Sequence, residues 1–259
     1  MIDTHCHLDA SEFDGDREAV LQRARDNGVR GIVVPAIGAI NFEVVGALCR
    51  SHHDCHAAYG IHPMYVDHAE PEDLDVLREC LRQGDAIAVG EIGLDRFVLE
   101  RDDAKQEYFY SEQLKIARDM GFPVLLHVRR AVDQVLKHLR RIEVKGGIAH
   151  AFNGSRQQAD EFIKLGFKLG FGGAMTWQRA LHLRELAAAL PLESIVLETD
   201  APDIPPQWVG KGRNEPSHLK GIAAEFAALR DLSVEEVVRI STRNALDVLP
   251  GLSRALSGA

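Results

Sequence analysis

Apolar positions along the chain gather into eight short runs rich in β-branched residues: IDTHCHL, VRGIVVPA, HAAYGIHP, AIAVGEIGL, PVLLHV, GGIAHAF, KLGFGGAMT and SIVLETD. Each run is close to continuously apolar rather than alternating, the pattern of parallel strands covered by helices. The segments between them carry apolar residues at helical spacing, with helix punctuation at their ends. After the fourth run, Asp103 and Gln106 have the spacing of a capping box. Phe109, Ile116, Ala117 and Met120 then share one face, and Gly121 and Pro123 end the helix. Ser155 with Gln158, and Ser233 with Glu236, mark two further helix starts. From Pro216 onward the chain reads as two helices closing an outer ring. Strand and helix alternate every ~20–40 residues, so the expected fold is α/β, a (β/α)8 TIM barrel. Residues 1–259 are expected to form a single domain. An open doubly wound sheet is the competing arrangement, but no GxGxxG follows a strand to support it.

Composition narrows the chemistry. The 46% hydrophobic and 27% charged content is that of a globular chain with a sizeable core. No run approaches the ~20 apolar residues of a membrane span, and the start lacks the pattern of a secretory signal. Cys6, Cys49, Cys55 and Cys80 form no CxxC pair, so reduced thiols and a cytoplasmic location are expected. A net charge of −9 excludes a protein that coats nucleic acid by tracking many phosphates. Any grip on nucleic acid must use few phosphates, through bound cations and a few arginines.

The ionisable residues fall where the apolar runs end. His5 and His7 end the first, His62 the third, Glu91 the fourth, His127 the fifth, His150 the sixth and Asp200 the eighth. Five of the twelve histidines stand at such ends, which in a barrel is where loops build an active site. Side chains two apart on a strand share a face, so His5 and His7 project together while Cys6 points away. Imidazoles and carboxylates are ligands for Zn²⁺ and similar ions, and six of them suffice for two metals sharing a carboxylate. Singly, His127 and His150 would read as core histidines; Glu91 and Asp200 would be costly to bury without a cation. His62 reads either as a substrate contact or as a shaper of the turn before Pro63. Glu198 shares a strand face with Asp200 and reads either as a support for the ligands or as a salt-bridge partner. His52, His53, His56, His68, His138, His182 and His218 read as surface residues.

In order, the stretches IDTHCHLD, GIHP, VGEIGLD, LLHVRRA, AHAFNG, LETDAP and RNEP, followed by NA, resemble the TatD-related metal-dependent hydrolases, α/β barrels of the amidohydrolase superfamily. The resemblance runs from Ile2 to about Leu249. It implies that His5, His7, Glu91 and Asp200 surround one ion, and that Glu91, His127 and His150 hold a second, Glu91 bridging. It also implies that His62 faces the substrate and that Arg129, two residues past His127, meets a phosphate. Characterised members are deoxyribonucleases, several acting as 3′-to-5′ exonucleases on single-stranded DNA. This chain departs from the family at Arg96, where an aromatic residue often follows GLD, and at Asn153, where a small hydroxyl residue is usual. The stretch ETDAPDIPP, with Asp203, is closer to a less characterised branch.

The expected activity is therefore divalent-metal-dependent hydrolysis of phosphodiester bonds by a monomer acting on DNA ends. Glu91, Asp200 and His62 are its catalytic residues, and Arg129, with Arg213 from a later loop, supplies charge to the phosphate. Two ions are expected, with four histidines favouring Zn²⁺ or Mn²⁺ and the family pattern pointing to Mg²⁺. The alternatives are hydrolysis of a small amide, ester or phosphoester by the same centre, and a non-catalytic barrel that keeps metal as a binding module.

Overall fold

The computed structural model describes residues 1–257. The eight apolar runs supply eight parallel strands paired in chain order: β1 (Ile2–Asp3), β2 (Gly31–Pro35), β3 (Cys55–Tyr59), β4 (Ala86–Asp95), β5 (Val124–Arg129), β6 (Gly147–Ala149), β7 (Phe167–Phe171) and β8 (Ile195–Leu197). Around them lie α1 (Arg17–Asp26), α2 (Phe42–Ser51), α3 (Asp73–Gln83), α4 (Asp103–Met120), α5 (Val132–Leu139), α6 (Arg156–Lys164) and α7 (Leu181–Ala189). This is the (β/α)8 TIM barrel that the alternation predicts. No helix among the described residues is long and apolar enough to cross a membrane.

Closure between β8 and β1 is made by single hydrogen bonds rather than a full ladder. Thr4 N donates to Leu197 O at 3.2 Å, Asp200 N to His5 O at 2.8 Å and His7 N to Ala201 O at 2.8 Å. Cys6 and Ala201 form an isolated parallel bridge. The first strand is therefore shorter than its apolar run, and His5–His7 continue it as an irregular edge. Alternation survives: Cys6 is buried in the apolar layer outside the barrel, and both imidazoles turn inward.

Three helices, not two, follow Pro216: α8 (Leu219–Arg230), α9 (Val234–Val248) and α10 (Pro250–Ser257). Pro250 opens the third of these: proline lacks the N–H that the first helical position leaves unbonded, so it suits a helix start. Leu249 and Leu252 pack with Ile2, Val33, Ile87 and Val196 in one buried cluster, which floors the barrel interior at the strand N-termini. Gly251 lies so close to Ile87 that an added Cβ would stand 3.0 Å from its Cα.

Capping differs in one place from expectation. Ser155 and Gln158 form the reciprocal box, and Ser233 accepts from Glu236 N. In α4, however, the cap is Asp102, which accepts from Lys105 N at 2.9 Å. Gln106 is instead buried, where it accepts from Asp95 N and donates to Pro63 O, each at 3.1 Å. Gln113 likewise accepts from Ile61 N at 2.6 Å and donates to Ile61 O at 3.1 Å. Two buried amides of α4 thus pin the ends of β3 and β4. His56, expected at the surface, is buried within β3, and that burial lowers its pKa.

Candidate metal centre

The C-terminal ends of the strands surround an open cleft of about 1130 Å³, lined by His7, His62, Glu91, His127, His150 and Asp200. Glu91, almost wholly buried, joins two groups of imidazoles. Its Oε2 lies 3.1 Å from His5 Nε2 and 3.5 Å from His7 Nε2. Its Oε1 lies 2.8 Å from His127 Nδ1, 3.1 Å from His150 Nε2 and 3.5 Å from His62 Nε2. Asp200 Oδ1 is 3.6 Å from His5 Nε2 and 3.9 Å from His7 Nε2. The seven residues named from the strand ends therefore meet in one cluster.

The donor set fits divalent cations. His5, His7 and Asp200, then His5, Glu91 and His150, then His62, Glu91 and His127, each bring ligand atoms within 4.8 Å of one another. His5 Nε2 and His7 Nε2 face each other at 3.3 Å, where only one of the two nitrogens can carry the shared proton. Charge balance points the same way. Burial opposes ionisation of Glu91, but the charge on His150 and the hydrogen bond from His127 hold it well below the usual carboxylate range. Burial also opposes the charge on His7, yet Glu91 and Asp200 raise it to about 9. Glu91 and Asp200 lift His150 well above the usual imidazole value against the same penalty. His127 is raised too, because Asp95 and Glu91 outweigh its burial. Protons on these imidazoles compensate the buried carboxylates, a task that a bound cation performs with the lone pairs set free.

Ring partners separate the histidines by role. His127 Nε2 meets Asp95 Oδ2 at 3.0 Å, leaving Nδ1 for the centre. His150 Nδ1 faces Glu198 Oε1 at 3.6 Å, leaving Nε2 for the centre. The His127–Asp95 contact is of the carboxylate–histidine type that orients a metal ligand, whereas Glu198 lies beyond hydrogen-bond reach of His150 Nδ1, which is buried with no hydrogen-bond partner among the described residues. His62 is wired in reverse: its Nδ1 accepts from Met64 N at 3.1 Å, so the proton of the neutral ring sits on Nε2. Burial lowers the pKa of His62 to about 4, against the pull of Glu91, and keeps that ring neutral. Its inward nitrogen is thus a hydrogen-bond donor rather than a lone-pair ligand.

Several supporting residues escape a reading of the chain alone. Asp3 accepts from Thr199 N at 2.9 Å and from Thr199 Oγ1 at 2.6 Å, tying β1 to the segment before Asp200. Asn214 of RNEP donates to the carbonyls of Thr199 and Asp203, each at 2.8 Å, and so fastens the loop after β8. Glu198, which the sequence offers as a support or a salt-bridge partner, accepts from Ala151 N at 2.5 Å at the end of β6. The signal for Asp3 and Asp95 was a carboxylate inside an apolar run, the same signal that marked Glu91.

The arginines divide. Arg129 lines the cleft. Arg213 does not: it donates to Glu12 O at 2.6 Å and to both oxygens of Asp16 at 2.8 Å, so its charge is already paired away from the cleft. Arg96, the departure after GLD, pairs with Asp103 and with Glu107 and holds the start of α4. Asn153 and Asp203, two further departures, both line the cleft.

Comparison with known proteins agrees with this architecture. The family model described as TatD related DNase matches residues 2–250. The uncharacterized metal-dependent hydrolase YjjV of Escherichia coli K12 is 41% identical over 94% of this chain and 95% of its own length. A crystal structure of YjjV, a TatD homologue, superposes with a TM-score of 0.93 at 39% identity, covering 96% of this chain and 98% of that one. A protein of Pantoea ananatis named 3′-5′ ssDNA/RNA exonuclease TatD is 31% identical over 95% of this chain and 97% of its own. The chain is a metal-dependent hydrolase that belongs to the TatD-related DNase family.

Proposed function

We propose that this hydrolase cleaves phosphodiester bonds in nucleic acid, releasing nucleotides from the 3′ end of single-stranded DNA with two divalent ions. The observation that carries the reading is the position of Glu91, one oxygen toward His5 and His7 and the other toward His127 and His150. His5, His7, Glu91 and Asp200 would hold one ion; Glu91, His127 and His150 would hold the other. When bound, such ions supply Lewis-acid charge and lower the pKa of water to about 7.

The chain's own groups complete the reaction. Asp200 is 13% exposed where Glu91 is 1% exposed, so of the two it is the carboxylate that meets solvent, holds the attacking water and takes its proton. His62 presents Nε2–H to a phosphoryl oxygen, and Arg129 adds charge beside it. Asp95 keeps His127 in the required orientation, and Glu198 holds the backbone beside His150 through Ala151 N. The exonuclease name of the Pantoea relative supports the choice of substrate.

The test is digestion of a 5′-labelled single-stranded oligonucleotide with Mn²⁺, Zn²⁺ or Mg²⁺, with and without chelator, beside a panel of small amides, esters and phosphoesters. Products shortened stepwise from the 3′ end, abolished by chelator, support the reading. Metal-loaded protein that leaves the oligonucleotide intact while turning over a small amide or ester contradicts it.

A further inference from the structure

We infer that Arg130, held with Arg129 on the ring of Phe97, forms a second phosphate subsite beside the centre, so that the preferred substrate carries at least two phosphates. The inference rests on the nuclease reading above and extends it from a bond to a strand.

Phe97, 44% exposed, lines the cleft on the loop after β4. Arg129 Cζ lies 3.8 Å and Arg130 Cζ 4.7 Å from its ring centroid. A π face holds a guanidinium without consuming its N–H donors. Among the described residues, neither guanidinium donates a hydrogen bond or pairs with a carboxylate. Their neighbours differ: Arg96, Arg101 and Arg213 are all tied to aspartates or glutamates. Arg129 and Arg130 are also the lysine or arginine residues of the cleft lining among the described residues; Asp9, Glu12, Glu91, Glu198, Asp200 and Asp203 give the rest its charge. A polyanion therefore finds one attractive edge, at the end of β5.

Placement of this edge relative to the centre is fixed by one carboxylate. Asp95 Oδ1 accepts from Phe97 N at 2.8 Å and from Val98 N at 3.2 Å, while Oδ2 meets His127. Arg130 itself has φ 54°, a left-handed conformation that disfavours any residue with a Cβ and directs its side chain at the turn out of β5.

The test compares wild type with Arg130→Gly, in which glycine suits the backbone and the guanidinium is lost. Substrates are oligothymidylate, the same strand with an uncharged methylphosphonate at the linkage next to the scissile one, and the p-nitrophenyl ester of thymidine 5′-phosphate. Neutralising the linkage should cost wild type on the order of tenfold in kcat/KM, chiefly through KM, the worth of one charge-assisted contact. Arg130→Gly should lose the same factor on the unmodified strand and nothing more on the methylphosphonate strand. Its kcat/KM ratio of strand to nitrophenyl ester should fall by that factor, and its affinity should depend less on salt, by about 0.7 in the log–log slope. Arg130→Gly matching wild type on the strand, or retaining the full methylphosphonate penalty, overturns the inference. Failure of wild type to cleave any of the three sinks the nuclease reading instead. Fluorescence anisotropy with labelled oligothymidylate then decides the subsite: weaker binding by the glycine variant supports it, and equal or absent binding overturns it.

Discussion

Asp95 Oδ2 lies 3.0 Å from His127 Nε2, and through this contact an aspartate at the end of β4 sets the ring of a histidine on β5. The hydrogen bond leaves His127 Nδ1 aimed at Glu91, 2.8 Å away. Asp95→Asn offers an amide in place of a pure acceptor, so the ring loses its fixed proton position. Metal affinity should fall by roughly 10–100-fold, the usual effect of removing such a partner. Competition with a chromophoric chelator measures it; unchanged affinity would assign Asp95 to the Phe97 loop alone.

Glu91→Gln keeps shape and removes the charge between the two imidazole groups. Activity should drop by at least roughly 10²–10³-fold, the scale of losing one electrostatic catalytic group, and bound metal should fall below the wild-type content. Circular dichroism should show the fold retained. A variant with full metal content and full rate would refute the bridging role.

Metal uptake should release protons. Burial disfavours the charge on His7, but Glu91 and Asp200 raise its pKa to about 9, so the metal-free ring is protonated at neutral pH. A ligand must shed that proton, so affinity for Mn²⁺ should climb as pH rises from neutral toward 9. Titration calorimetry in buffers of different ionisation enthalpy counts the protons; heats independent of buffer would contradict this.

A second pH effect lies away from the cleft. Arg23 Nη2 contacts Glu215 Oε2 at 2.6 Å, joining α1 to the turn before α8. Burial pushes the Glu215 pKa up, but Arg23 and Ser217 outweigh it and hold the carboxyl below its ordinary value. A depressed folded pKa means stability that is present above the unfolded value and is lost as pH falls through the folded one. Glu215→Gln should therefore cost about 1 kcal/mol at neutral pH, lowering Tm by roughly 2–4 °C. The gap should begin to narrow near pH 4, where unfolded glutamate takes up its proton, and close once the folded carboxyl is protonated as well. Melting curves across that range measure it; a gap that persists in acid contradicts the linkage.

The barrel was legible because parallel strands leave continuous apolar runs, and the ligand candidates because each interrupts such a run at its end. The pairing of His5 with His7 followed from strand alternation, which the irregular edge still obeys. What escaped depends on distant partners. Arg213 reads as available charge until Asp16, 197 residues away, captures it. Gln106 reads as part of a cap until Asp102 takes the cap position and Gln106 turns inward to Asp95 N. Local spacing reveals periodicity; it does not show which remote group neutralises a charge.

Anomalous diffraction from Mn²⁺-loaded crystals examines the centre most directly. Two peaks about 3.5–4 Å apart are expected, each beside one carboxylate oxygen of Glu91, with His5, His7 and Asp200 around one and His127 and His150 around the other. A single peak, or peaks that do not share Glu91, would contradict this arrangement.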